Sequence, residues 1–138
     1  MTLVLADTSA WHRATDAAVA GAWEHHLSRG ELASCAQVRL EILYSARTFD
    51  AYEQLAVELE ALHQLPCGAD QFDRALQVQR ELARRGGLHH RSVKIADLLI
   101  AASAEAGDAV VWHYEADFDR IVEITGQAAE WIAPRGSL

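Results

Sequence analysis

Short apolar runs alternate with longer stretches of helical spacing along this chain. Residues 2–6 read as a short buried strand, closed by Asp7. Thr8 or Ser9 is placed to cap a short helix from near Ala10. A second helix runs from near Asp16 to Ser28 and stops at Gly30. Residues 31–35 form a second short strand candidate. Residues 37–46 have helical spacing, with Val38, Glu41 and Ser45 on roughly one face. Asp50 followed by Glu53 resembles a capping box, opening a helix whose inner side carries Leu55, Leu59 and Leu62. Leu65-Pro66 ends that helix or starts a brief strand. Asp70 suits the cap of a helix carrying Phe72, Leu76, Val78 and Leu82, and Gly86-Gly87 breaks the pattern. Ser92 is placed to cap an apolar helix that Gly107 ends. A strand at 109–112, a helix at 117–125 and an edge strand at 128–132 complete the series.

Strands separated by helices predict an α/β sandwich on a mostly parallel sheet. Such sheets build their sites beyond the carboxyl ends of the strands. Asp7 stands there after the first strand, and Glu115 and Asp117 stand just past a later one. The two loops converge if those strands are neighbours.

Four acids sit hard against apolar segments. Asp7 closes Leu3-Val4-Leu5-Ala6, and Glu41 interrupts Val38, Leu40, Ile42 and Leu43. Asp97 stands alone within Ile95-Ala96-Asp97-Leu98-Leu99-Ile100-Ala101-Ala102, and Asp117 follows Val110-Val111-Trp112 together with Glu115. A buried carboxylate is relieved by protonation, a basic partner or a metal ion. Only Lys94 and Arg39 lie close in sequence to any of the four, so one shared site for a hard divalent cation is expected. Each acid also has a plain structural reading. Asp7 suits a helix cap. Glu41 suits a solvated helix residue paired with Ser45 or Arg39, Asp97 a partly buried pair with Lys94, and Asp117 an acid in the first turn of a helix.

Composition changes the picture only in part. The chain has 138 residues, 51% of them hydrophobic, and is expected to be one domain over residues 1–138. Cys35 and Cys67 show neither metal-ligand spacing nor a disulfide framework, and read as core thiols. No secretory signal and no apolar run of about 20 residues is visible, so a cytoplasmic location without a membrane span is expected. The net charge of -8 argues against broad, charge-driven nucleic-acid binding. The basic residues are concentrated instead, with Arg80, Arg84, Arg85, Arg91 and Lys94 around Gly86-Gly87. Either a solvated helix end or an RNA-phosphate contact accounts for them, Arg85, Arg91 and Lys94 being the RNA candidates. Of the seven histidines, His113 alone borders the acids, and a strand-end histidine with a backbone hydrogen bond is its plain reading. The four tryptophans read as core or dimer-interface residues, with base stacking by Trp11 as a lesser option.

Taken in order, Asp7-Thr8-Ser9, Arg39-Leu40-Glu41-Ile42-Leu43, Ala96-Asp97-Leu98-Leu99-Ile100-Ala101-Ala102 and His113-Tyr114-Glu115-Ala116-Asp117-Phe118-Asp119 resemble the PIN-domain ribonucleases. Within them the chain looks most like the VapC-type toxins of toxin–antitoxin pairs. The resemblance spans nearly the whole sequence. It implies a three-layer α/β/α fold, an acidic pocket for Mg²⁺ or Mn²⁺, metal-dependent endonucleolytic cleavage of RNA, a VapB-type antitoxin partner and a homodimer. It maps Asp7, Glu41, Asp97 and Asp117 onto the family's acidic positions as catalytic and metal-binding residues. Glu115 joins the metal set in place of the family's usual Asp, which adds one methylene. Thr8, Ser9 and His113 support the site. The antitoxin groove is expected within residues 40–62. Two rivals remain. A phosphotransfer domain also uses an Asp after a strand, but the second Asp of the haloacid-dehalogenase pattern is Ser9 here, and the receiver pattern's paired acids are not evident. A non-catalytic PIN-like RNA- or protein-binding module is the other.

Overall fold

A computed structural model describes residues 2–138, so the first residue of the expected domain lies outside the described residues. Five parallel strands form one sheet in the order β3-β2-β1-β4-β5. These are β1 (Val4–Ala6), β2 (Leu32–Ser34), β3 (His63–Gln64), β4 (Val110–His113) and β5 (Ala129–Trp131). Alternation along the strands sends side chains to two faces. Leu5, Ala33 and Val111 face one core, which α3 (Ala36–Tyr44), α4 (Phe49–Glu60), α5 (Ala69–Arg84), α7 (Ile95–Ala106) and α8 (Asp117–Thr125) cover. Val4, Ala6, Leu32 and Trp112 face the other, covered by α1 (Thr8–Trp11), α2 (Ala17–Ser28) and the segment at Ile132 and Ala133. The result is the expected three-layer α/β/α sandwich. Burial on both faces explains why the inner strands read as continuous apolar runs. Each fully buried Leu, Ile or Phe contributes about 1.5–3 kcal/mol.

Elements fall close to their predicted places, but most of the caps do not. Asp7, not Thr8 or Ser9, caps α1, accepting from Ala10 N–H at 2.9 Å. The Ser9 hydroxyl is already engaged with Asp7 and with Tyr114 N–H. Thr48 rather than Asp50 caps α4, and Asp50 sits in its first turn. Gly68 precedes α5, its N–H donating to Gln71 Oε1 at 2.8 Å, so Asp70 is not the cap. Ser92 does not cap the apolar helix. Its hydroxyl donates to His89 O, within an unexpected short helix α6 (His89–Ser92), and Lys94 takes the cap position of α7. The brief strand expected near Leu65-Pro66 lies two residues earlier, at His63–Gln64. On α5, Val78 and Leu82 are buried, whereas Phe72 and Leu76 are exposed. Trp23 and Trp112 stack in the core with centroids 5.6 Å apart, and Trp11 meets Trp23 edge-on at 4.8 Å, which leaves Trp11 a packing role. Cys35 is fully buried and Cys67 packs against the core, both as free thiols.

Gly107 ends α7 for a steric reason rather than a conformational one. Its φ is -90°, open to any residue, but a Cβ there would stand 2.6 Å from Leu65 Cδ2 and 3.2 Å from Leu65 Cγ. Leu65 is buried and belongs to the larger core. Gly107→Ala is therefore expected to destabilise the protein by about 1–3 kcal/mol through overpacking. A urea midpoint equal to the wild type's would refute the clash.

Candidate active site

The β1 and β4 strands are hydrogen-bonded neighbours, with Ala6 opposite Trp112. Asp7 N–H continues the ladder by donating to Trp112 O at 3.1 Å. The two loops that carry the acids therefore leave the sheet side by side. Ser9 ties them: its Oγ lies 2.7 and 2.9 Å from the two Asp7 carboxylate oxygens, with one proton to give, and accepts from Tyr114 N–H at 2.9 Å.

Asp7 is buried, 2% exposed. Burial lifts its pKa from 3.8 to about 6, against the hydrogen bonds from Ser9 and Ala10, and the negative charge of Glu41 adds to the rise. Asp97 sits in the first turn of α7, where every residue from 97 to 104 is buried, and is itself 7% exposed. Its Oδ2 is buried without a hydrogen-bond partner. Burial above all, then the neighbouring Asp117 carboxyl and the charge of Asp7, hold the Asp97 carboxyl far above the usual range. Burial rather than mutual repulsion is the main cause of both rises.

Asp117 opens α8 and is also buried. Its Oδ2 accepts from the Lys94 backbone N–H at 2.9 Å, pinning the start of α8 to the start of α7. Glu41 is half-buried on α3, lining a cleft with Thr8, Leu40 and Tyr44. It accepts from Gln37 Nε2 at 3.1 Å, so it is oriented by the residue one turn before it rather than by Ser45, whose hydroxyl donates to Ile42 O. The Gln37–Glu41 spacing was a readable helical signal for that partner.

Glu115 lies at the rim. Its Oε2 meets Lys94 Nζ at 2.7 Å and its Oε1 accepts from Asp117 N–H at 3.4 Å. The lysine beside it and these hydrogen bonds keep its carboxyl below the usual range in spite of burial. Lys94 thus pairs with Glu115 and not with Asp97. His113 is wholly buried beside Phe118 and Trp131. Its Nδ1 accepts from Glu115 N–H at 3.2 Å, which places the ring proton on Nε2, and burial lowers its pKa to about 4. A neutral, enclosed imidazole of this kind shapes the 113–115 turn and moves no proton at neutral pH. Among the basic candidates, Arg85 is tied to Glu123 at 3.6 Å and Arg91 is exposed.

This donor set fits a hard divalent cation. Its innermost members are carboxylates, buried, and in the case of Asp97 Oδ2 lacking any donor. Among the described residues no three His, Cys, Asp or Glu side chains converge tightly enough to enclose an ion alone. A cation of the Mg²⁺ kind does not require such a cluster, since it takes one or two carboxylates and fills its shell with water and substrate oxygens.

Comparison with known proteins agrees with this geometry. The model of the PIN domain matches residues 4–124. Ribonuclease VapC18 of Mycobacterium tuberculosis is 57% identical over 132 residues, covering 96% of each chain. Ribonuclease VapC51 of the same organism is 42% identical, over 97% of this chain and 96% of its own. Two solved structures share the fold. One is the DNA-bound VapBC of Salmonella typhimurium, with a TM-score of 0.73 at 21% identity over 96% of this chain and all of that one. The other is VapBC2 of Rickettsia felis bound to a promoter DNA fragment, with a TM-score of 0.71 at 18% identity over 94% and 98%. With the acids gathered at the carboxyl end of β1 and β4, and with matches that run nearly end to end, the chain belongs to the PIN-domain family, in its VapC branch.

Proposed function

We propose that this protein is a metal-dependent endoribonuclease acting as the toxin of a toxin–antitoxin pair. The observation that carries the reading is the pair of buried acids, Asp7 and Asp97, near enough for the charge of one to act on the other, with Asp97 Oδ2 left without a hydrogen-bond partner. The names of its relatives supply the reaction class.

Asp7 and Asp97 are the direct ligands, and Mg²⁺ or Mn²⁺ is the ion. A cation held there supplies charge stabilisation at the phosphate oxygens and a more acidic water. Ser9 and the Ala10 N–H fix the Asp7 carboxylate in one orientation. Glu41 and Asp117 act through water, orienting the nucleophile or holding a second ion. Thr8 lies at the entrance with a buried, unpartnered hydroxyl, and His113 braces the loop from beneath. Cleavage leaves 5′-phosphate and 3′-hydroxyl ends. Lys94, and with it Arg85 and Arg91, are the candidates to meet phosphates of single-stranded or looped RNA, whose splayed bases expose the backbone.

The partner is a VapB-type antitoxin that lays an apolar segment over residues 40–62. Leu40, Tyr44, Phe49, Tyr52 and Val57 are all exposed there, which supports the reading. The toxin is a cytoplasmic homodimer in this reading. No helix among the described residues is long and apolar enough to cross a membrane.

The test is incubation of the purified, antitoxin-free protein with end-labelled structured RNAs. Cleavage in Mg²⁺ or Mn²⁺ that EDTA stops is expected. Tight binding of RNA with no cut in any of them, cation present, would favour the non-catalytic module.

A further inference from the structure

Three hydrogen bonds close a ring of Lys94, Glu115 and Asp117, two of them made by Lys94. Its backbone N–H donates to Asp117 Oδ2, its Nζ meets Glu115 Oε2 at 2.7 Å, and Glu115 Oε1 accepts from Asp117 N–H. The Lys94 side chain is 66% exposed, so its ammonium stands at the mouth of the pocket rather than within it. An exposed lysine–carboxylate pair adds little to stability, so stability does not account for this arrangement. Electrostatics does. A polyanion approaching a chain of net charge -8, at a pocket of several carboxylates, meets repulsion unless a fixed cation marks the entry.

Glu115 is also poorly placed to serve a metal. One oxygen is committed to an ammonium and the other faces an amide, whereas Asp97 Oδ2 is free. The extra methylene of Glu over Asp gives the reach from the loop to Lys94. We propose that Glu115 is a positioning residue that holds the Lys94 ammonium at the pocket mouth to receive an RNA phosphate beside the cleaved bond, and that Glu115 is not a ligand of the cation. The proposal rests on the ribonuclease reading above.

Two measurements test it, neither of which involves cleavage. The first is affinity for a fluorescein-labelled single-stranded oligoribonucleotide in EDTA. Lys94→Met should weaken binding roughly three- to tenfold at low salt and flatten the log–log salt slope by about 0.7, the loss of one phosphate contact. Glu115→Asp keeps the charge but shortens the reach. It should weaken binding about threefold, and the double variant should be no worse than Lys94→Met alone, since one contact is lost once. Unchanged binding in Lys94→Met, or an additive double variant, overturns the proposal. The second is Mn²⁺ titration by calorimetry of Lys94→Met/Glu115→Gln, which leaves the local net charge unaltered. Affinity within about threefold of wild type is expected, while a loss of tenfold or more makes Glu115 a ligand. Melting temperatures of the variants control for folding. Failure of the ribonuclease reading would instead appear as intact RNA in Mn²⁺, independently of both results.

Discussion

Asp97→Asn should abolish metal-dependent RNA cleavage, with a fall of at least ~10³-fold in the single-turnover rate, equivalent to about 4 kcal/mol of transition-state stabilisation. The substitution is nearly isosteric and keeps a hydrogen-bonding group, so the pocket retains its shape. What it removes is the anionic oxygen that has no other partner in the protein. Position matters as much as charge. Asp97 is on a helix buried along eight consecutive residues, packed by α5, α8 and β4, so no neighbouring side chain is free to swing in as a replacement. Activity within tenfold of wild type, measured with end-labelled RNA in Mn²⁺, would remove Asp97 from the centre of the reaction.

The same substitution should make the metal-free protein more stable at neutral pH. The sign follows from the direction of the shifts. Asp7 and Asp97 both bind protons more tightly folded than unfolded, so stability is fully present below pH ~4 and is lost as pH rises through the folded pKa values. For Asp7 the window runs from 3.8 to about 6, which corresponds to about 3 kcal/mol at 1.36 kcal/mol per pH unit. Asp97 adds to the loss in the same sense. In EDTA the wild type should therefore melt progressively lower from pH 5 to pH 8, counting these two groups alone. Asp97→Asn removes one of them and allows the new amide to donate to Asp117. It should melt roughly 5–10 °C above wild type at pH 8 and show a shallower pH slope. Mn²⁺ should raise the wild-type melting temperature and leave the variant nearly unmoved, because only the wild type offers the cation its Asp97 oxygen. A variant that melts below wild type in EDTA at pH 8 would show that Asp97 is not held at an electrostatic cost. Together the two results would describe a site kept at the expense of stability, a common relation between function and fold.

The partner surface has the opposite character. The exposed apolar residues between 40 and 57 lie on α3 and α4, with Tyr44 92% and Phe49 75% exposed. Leu40 and Tyr44 among them line the cleft that Glu41 also lines. A partner covering Leu40 and Tyr44 would also stand over Glu41, which ties occupancy of this surface to the site.

Much of this was legible along the chain. Apolar runs placed the strands to within a residue or two, because strands buried on both faces leave little freedom in composition. Asp97 was conspicuous as a lone charge in an apolar helix, and the order of the four acidic motifs carried the family resemblance. Caps were less legible. Thr8, Ser9, Asp50, Asp70 and Ser92 all have the right chemistry, but a cap is chosen by where the strand ends and by which hydroxyl is already engaged, as Ser9 and Ser92 are. The burial behind the carboxyl shifts was legible as charges set against apolar runs, but which acids would press on one another was not, since that is settled by the packing of the helices.

The sequence by itself determined an α/β sandwich on a mostly parallel sheet and singled out the acids, because periodicity and residue chemistry are local and survive reading in one dimension. The order of the acidic motifs carried the resemblance that implied the three-layer fold and the family. Only the tertiary structure decided which of the acids meet. The β1–β4 pairing joined Asp7 to the 113–117 loop, and the packing of α7 against α8 set Asp97 beside Asp117. It also gave Lys94 to Glu115, 21 residues away, and left Asp97 Oδ2 without a hydrogen-bond partner. Contacts of that kind depend on loop closure and core packing across the whole chain, and no window of sequence contains both sides of them.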